Sequence, residues 1–168
     1  IGLPFSSVDV ADGFPRAMCS FMGQLFVALD CQTATPATVT VVRIKPFVGS
    51  AWTVDSTAGL EGPAFSMAVF QGNLYFGCRF ETAADQAKIR KRTPAGVYST
   101  VETGTGVVGT DRYDALFVFE NALYANYWAP NDASLIRKTT DGTTWTSNYD
   151  IEASLGINSL APGGFMVT

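Results

Sequence analysis

The chain has 168 residues, of which 47% are hydrophobic and 15% are charged, and its net charge is −4. This length allows one well-formed core, and a content of 3 Trp, 6 Tyr and 12 Phe is too apolar for a disordered segment. The acidic balance excludes binding of nucleic acid through a basic surface, and the lack of histidine removes the commonest general base and metal ligand.

Three apolar segments, each broken by a short polar turn, predict three inner β-hairpins. They span residues 18–28, 67–77 and 115–126, and each contains a Leu marker: Leu25, Leu74 and Leu123, which are 49 residues apart. Gly or Asn in each break supplies the positive φ that a tight turn requires. The first strand of each unit lies before the break, and the second strands are predicted at 25–29, 74–78 and 123–127.

Each hairpin is followed by two further predicted strands. The third strands are expected at 39–45, 88–92 and 134–139, and the fourth strands carry Trp52, Tyr98 and Trp145. These segments are rich in Val, Ile, Thr and aromatic residues, as strands prefer, and no stretch has helical periodicity. The sequence therefore predicts an all-β protein built from a four-stranded unit with a period near 47 residues.

The inner and outer strands differ in polarity. Strands one and two are almost continuously apolar, which is typical of strands covered on both faces. Strands three and four carry Lys, Arg and Thr, so they are expected further out. The arginines that recur on strand three are therefore expected to be solvated: Arg43, Arg90 and Arg137.

One loop of the unit varies in length while its flanks keep their spacing. The interval from the Leu marker to the Arg marker falls from 18 to 16 to 14 residues. The variable loops lie near 30–38, 79–87 and 127–133, and this behaviour is typical of surface loops on a repeated scaffold.

The units resemble blades of β-propellers of the Kelch and Asp-box (bacterial neuraminidase repeat) kind. The segment Thr140-Asp-Gly-Thr-Thr-Trp145 resembles an Asp-box that lacks the spacer between Asp and Gly. The resemblance implies one propeller-like domain or segment over 1–168, with complete blades at about 14–61, 62–110 and 111–157. Terminal half-blade strands are expected at 1–13 and 158–168.

Three complete blades are fewer than the four to eight with which propellers usually close. Two interpretations remain open: the chain is a segment of a longer propeller, or copies of it assemble. The first residue is Ile, which fits either processing or a longer chain. Because open sheet edges are seldom left exposed, partners are expected to be other copies or the rest of a longer chain.

The Asp-box-like turn is expected to be structural. Asp141 is predicted to accept hydrogen bonds from backbone amides of the turn, with Gly142 inside it and Trp145 packed between sheets. The same resemblance raises sialidase chemistry, which needs an arginine triad and a Tyr nucleophile paired with Glu. The arginines of strand three occupy equivalent positions in successive blades, so they are not expected to converge.

The aromatic variable loops are the better candidate for ligand binding. An aromatic face that stacks on a sugar ring, with amide and carboxylate neighbours for the hydroxyl groups, suits a glycan site; packing between blades is the alternative. The predicted binding residues are Tyr127, Trp128, Asn131, Asp132, Arg79 and Glu81. No catalytic residue, metal site or cofactor is predicted.

The sequence therefore favours a non-catalytic binding or scaffold module, in an extracellular, cell-surface or virion context, that recognises a glycan or a protein through its blade loops. The alternatives are part of a sialidase-like glycoside hydrolase and a purely structural, self-assembling protein. No apolar run approaches the 18 residues of a membrane-spanning helix. Three cysteines cannot all pair within one chain; Cys19, Cys31 and Cys78 are expected as small buried residues, with a Cys19–Cys31 bridge left open.

Overall fold

Apolar runs separated by backbone-reversing residues form antiparallel strands throughout the described part of the chain. The structure, a computed structural model, describes residues 13–31, 40–44, 52–56, 64–79, 86–105, 111–129 and 135–150. These residues form 12 strands and contain no helix. The prediction of an all-β fold is confirmed.

The strands form three separate four-stranded sheets, each a meander in chain order. Sheet one contains β1 (Gly13–Phe21), β2 (Gln24–Cys31), β3 (Thr40–Ile44) and β4 (Trp52–Ser56). Sheet two contains β5 (Ala64–Phe70), β6 (Asn73–Cys78), β7 (Lys88–Arg92) and β8 (Tyr98–Thr103). Sheet three contains β9 (Arg112–Phe119), β10 (Ala122–Trp128), β11 (Leu135–Thr139) and β12 (Thr146–Asp150).

The turn of each inner hairpin has two residues, both with positive φ. The turns are Met22-Gly23, Gln71-Gly72 and Glu120-Asn121. This is the type I′ geometry, whose twist matches that of the flanking strands. The predicted turn positions are confirmed, and the structure adds that a residue other than Gly or Asn holds the left-handed conformation at the first position of each turn.

Two sequence predictions differ from the observed elements or lie outside them. Trp145 was expected on the fourth strand of sheet three, but it precedes β12 by one residue because the Asp-box-like turn continues to that point. Of the expected terminal strands, residues 1–12 and 158–168 lie outside the described residues, and Gly13 begins β1. The blade boundaries stay predictions.

The sheets pack face to face through their first strands, with β5 between β1 and β9. We call the face that packs on the next sheet in chain order the leading face, and the opposite one the trailing face. The leading face of sheet one carries Phe21 and Phe26, and it packs against Leu74 and Phe76 on the trailing face of sheet two. These four side chains are buried.

The second interface repeats this arrangement with other residues. The leading face of sheet two carries Phe70 and Tyr75, and it packs against Leu123, Ala125 and Tyr127 on the trailing face of sheet three. Leu25, Leu74 and Leu123 are each the second residue of the second strand in their sheet. The apolar patterning of the inner hairpins therefore produces the core between the sheets, as buried strands covered on two sides require.

Candidate functional site

The variable loops leave the sheets at one common edge. There β2, β6 and β10 end, and β1, β5 and β9 begin, because successive strands are antiparallel. We call this the variable-loop edge. Side chains from neighbouring sheets meet there because the first strands lie side by side.

Each first strand has a β-bulge close to its first residue, and therefore near this edge. The pairing between strands one and two omits Arg16 in β1, Phe65 in β5 and Asp114 in β9. A bulge re-aims its extra side chain and is common beside functional sites. The guanidinium carbon of Arg16 lies 5.3 Å from the ring centroid of Phe65, so two of these residues meet across sheets one and two.

Asp114 belongs to a compact group with Arg112 and Trp128. Arg112 Nε donates to the Asp114 carboxylate over 2.9 Å. The guanidinium carbon of Arg112 also lies 4.4 Å from the ring centroid of Trp128, which is partly exposed. The carboxylate thus fixes the arginine over the ring, so a planar cation, an anion and an aromatic side chain are held together.

The end of β6 brings another cation to this group. Arg79 forms an isolated antiparallel bridge with Arg112, which joins the edges of sheets two and three, and its side chain is exposed. Burial raises the pKa of Asp114, while the neighbouring charges of Arg112 and Arg79 oppose that rise. We call Arg79, Arg112, Asp114 and Trp128 the edge cluster.

The structure separates the predicted binding residues. Arg79 and Trp128 belong to the edge cluster. Tyr127 does not: its ring is fully buried against Tyr113, with ring centroids 4.9 Å apart, and its hydroxyl donates to Asp111 Oδ2 over 2.8 Å. A buried ring has no face on which a sugar could stack. Glu81, Asn131 and Asp132 lie outside the described residues.

Sequence reasoning missed Arg112, Asp114, Arg16 and Phe65. The last three are bulge residues, and a bulge depends on strand register, which local composition does not reveal. The one available signal was the polar sequence Arg112-Tyr113-Asp114, which directly precedes the apolar run of strand one in the third unit.

The Asp-box-like turn binds its own backbone. Asp141 Oδ1 accepts hydrogen bonds from Thr143 N at 2.8 Å and Thr144 N at 2.7 Å. These bonds to the charged form lower the pKa of Asp141. Gly142 has a φ of 74°, and its carbonyl accepts a bond from the Tyr75 hydroxyl at 3.3 Å. Trp145 packs against the core between sheets two and three.

The expectation of solvated arginines on the third strands is wrong for Arg137. It lies largely buried between sheets two and three, where Nη2 donates to Glu102 Oε1. Tyr113 donates to the same oxygen at 3.5 Å. Arg90 is half-buried and donates to Thr100 Oγ1 at 2.7 Å, whereas the side chain of Arg43 lies outside the described part. Arg137 thus has its partner on the neighbouring sheet, and Arg90 has its partner on the paired strand β8.

The trio of Tyr113, Glu102 and Arg137 resembles a nucleophile with its base, but its environment favours a structural role. Tyr113 is fully buried, and burial raises its pKa. A tyrosine nucleophile needs activation and access to its substrate. Here the hydroxyl and the two charges join sheets two and three instead.

Two cysteine side chains belong to the described part, and neither takes part in a disulfide. Cys19 and Cys78 are free thiols, so the Cys19–Cys31 bridge left open by the sequence is not formed. Burial raises the pKa of Cys78 to about 12, which leaves its thiol protonated and inert near neutral pH.

No trio of Cys, Asp or Glu in the described ranges is close enough to hold a metal ion. Those ranges also contain no helix with the length and hydrophobicity that a bilayer crossing requires.

A comparison with protein-family models gives no match for this chain, and a comparison with curated proteins gives no significant match.

Proposed function

We propose that this chain is a non-catalytic binding module that recognises a carbohydrate at the variable-loop edge. The observation that carries the proposal is the group in which Asp114 holds Arg112 against the partly exposed ring of Trp128. This group lies where the loops of adjacent sheets emerge, which is the usual place for binding residues on a rigid scaffold.

The chemistry of the edge cluster fits a sugar. The face of an indole ring accepts the apolar C–H face of a pyranose, while carboxylate oxygens accept and guanidinium groups donate hydrogen bonds to hydroxyl groups. The Arg112–Asp114 bond orders these side chains before a ligand arrives, which lowers the entropic cost of binding.

The scaffold that we propose for this site is of the propeller type. Three meanders in chain order, adjacent first strands and buried inner hairpins support it. In such an arrangement the variable loops of several sheets surround one shallow surface. A module that binds glycans suits an extracellular, cell-surface or virion setting, which we include in the proposal.

A glycan array tests the proposal. We expect the labelled chain to bind a subset of neutral or acidic oligosaccharides, and Trp128→Ala to weaken binding at least about tenfold, or about 1.4 kcal/mol. Trp128→Phe, which keeps an aromatic face, should retain most of the binding. Val97→Ala is the matched control, since Val97 is exposed in the turn between β7 and β8, at the opposite edge.

Circular dichroism should show the same strand content in all variants, so that lost binding reports on the site. Binding of no oligosaccharide by the wild-type chain would refute the proposal. Equal binding by wild type and Trp128→Ala would refute the assignment to the edge cluster.

A further inference from the structure

The outermost faces of the three-sheet stack are exposed where the equivalent internal faces are buried. On the leading faces, Phe21 and Phe70 are 5% and 3% exposed, whereas Phe119 at the same position of sheet three is 55% exposed. Each of the three is the last residue of the first strand, directly before the two-residue turn. The exposure of Phe119 therefore comes from its place in the stack.

The trailing faces show the same contrast at the other end of the stack. Leu74 and Leu123 are fully buried, but Leu25 at the same position of sheet one is 38% exposed. Its neighbour Met18 is 68% exposed, whereas Met67, at the equivalent position of sheet two, packs partly buried against the core. Within the described residues, the leading face of sheet three is therefore exposed at Phe119, and the trailing face of sheet one is exposed at Met18 and Leu25.

These two faces have the residue types that already fit together inside the chain. At the first internal interface, Phe21 and Phe26 pack against Leu74 and Phe76. At the second, Phe70 and Tyr75 pack against Leu123 and Ala125. At the corresponding positions, the leading face of sheet three offers Phe119, which is exposed, and Tyr124, which is partly buried. The trailing face of sheet one offers Leu25, which is exposed, and Val27, which is already buried within one copy.

We propose that the leading face of sheet three docks on the trailing face of sheet one in a second copy of this chain. The contact continues the stacking of the two internal interfaces, and one chain supplies both halves of it. Exposed apolar surface of this kind commonly marks an interface. Trp128 and Arg112 of the edge cluster share the leading face of sheet three with Phe119, but they lie at its variable-loop end, whereas Phe119 lies at the turn end. The proposal rests on the residues at the turn end and does not depend on carbohydrate binding.

The proposed contact is heterologous, since different surfaces of the two copies meet. Such contacts propagate unless the rotation between copies closes a ring. The described residues form three sheets, so two copies bring together six of them, within the range in which sheets stacked about an axis close. A closed dimer would bury both exposed faces of each copy.

Light scattering after size-exclusion chromatography tests the proposal over a micromolar concentration series. We expect a mass of twice 17.9 kDa for the wild-type chain. Phe119→Glu and Leu25→Lys should each give a monomer with unchanged circular dichroism, because both side chains are exposed within one copy. Val97→Glu is the matched control: it places a charge at an exposed apolar residue outside both faces and should leave the dimer intact.

Mixing the two monomeric variants tests the direction of docking. The Leu25→Lys chain keeps Phe119, and the Phe119→Glu chain keeps Leu25, so one native contact can form; the other brings Lys and Glu together. We expect a one-to-one dimer from the mixture. A monomeric wild type at all concentrations would overturn the proposal and leave these faces to another partner; a dimer that survives Phe119→Glu, or a mixture that stays monomeric, would overturn it as well.

Discussion

The two internal interfaces share an apolar pattern and differ in their polar anchors. Between sheets one and two, Arg92 forms a bidentate pair with Asp55, Nε to Oδ2 at 2.5 Å and Nη2 to Oδ1 at 2.9 Å. Tyr98 donates to the same carboxylate at 2.7 Å, and the guanidinium carbon lies 5.0 Å from the Phe26 ring centroid. Both charged side chains are almost fully buried.

Between sheets two and three, the anchors are distributed. Asp111 accepts from Ala87 N at 2.9 Å and also binds Tyr127, while Gln71 Nε2 donates to Thr140 O at 2.7 Å. Tyr75 adds its bond to Gly142. Apolar faces of one type thus pack at both interfaces, while the polar contacts are specific to each.

The largest change in stability is expected at the Arg92–Asp55 ion pair between sheets one and two. Asp55→Asn leaves the buried Arg92 cation without its counter-ion, so we expect a loss of about 3–5 kcal/mol in the free energy of unfolding. Urea denaturation followed by circular dichroism, at one protein concentration, measures it. Tyr98→Phe, which removes one hydrogen bond and keeps the ion pair, should cost only about 1 kcal/mol.

A double variant distinguishes the cost of leaving one buried charge unpaired from the cost of altering the packing at this interface. Asp55→Leu with Arg92→Met replaces both charges by apolar side chains, and its stability should lie within about 2 kcal/mol of wild type. If Asp55→Asn and the double variant proved equally unstable, the ion pair would not be the anchor of the first interface.

A smaller effect is expected at the Tyr75–Gly142 contact of the second interface. Gly142→Ala puts a Cβ on a residue with φ of 74° and brings it against the Tyr75 hydroxyl. We expect a loss of about 2 kcal/mol, from backbone strain together with the steric conflict. The same urea titration measures it.

Tyr75→Phe removes the hydroxyl that the new methyl group would meet. The double variant Tyr75→Phe with Gly142→Ala should therefore lose less than the sum of the two single changes. Strictly additive losses would mean that strain at residue 142 accounts for the whole effect and that the contact with Tyr75 contributes nothing.

The structural features that the sequence predicted correctly depend on residues that are close together along the chain. The turn positions and second strands around Leu25, Leu74 and Leu123 follow from local patterning, which is why they match the structure. Arg137 was misread because its partner Glu102 is 35 residues away on another sheet. The burial of Tyr127 could not be predicted from its loop for the same reason, since its hydroxyl donates to Asp111, 16 residues away.

The edge cluster illustrates the same limit at the candidate site. Trp128 was found as an aromatic residue in a variable loop, but the residues that orient it were not. Arg112 lies opposite Trp128 in the pairing of β9 with β10, and that register is a property of the paired strands. Asp114, two residues further along β9, binds the guanidinium group.

The smallest change in stability is expected for substitutions at the first position of the inner turns. Such substitutions compare sheet two, whose leading face is covered, with sheet three, whose leading face is exposed. Glu120 has a φ of 45° and lies in the turn of sheet three. Asn tolerates this conformation better than Glu, so Glu120→Asn should stabilise the chain by about 0.5 kcal/mol. Thermal unfolding should show a midpoint about 1–2 °C higher.

Gln71→Asn makes the equivalent change in sheet two, but there the side chain also bonds Thr140 O of sheet three. Its gain in the turn is offset by loss of a hydrogen bond worth about 1 kcal/mol, so this variant should be neutral or less stable than wild type. An equal rise in midpoint for both variants would mean that the Gln71–Thr140 bond contributes little to the second interface. A rise in midpoint for Glu120→Asn with a fall for Gln71→Asn would show that Asn at the first position of the turn stabilises the chain only where the native side chain does not bond the next sheet.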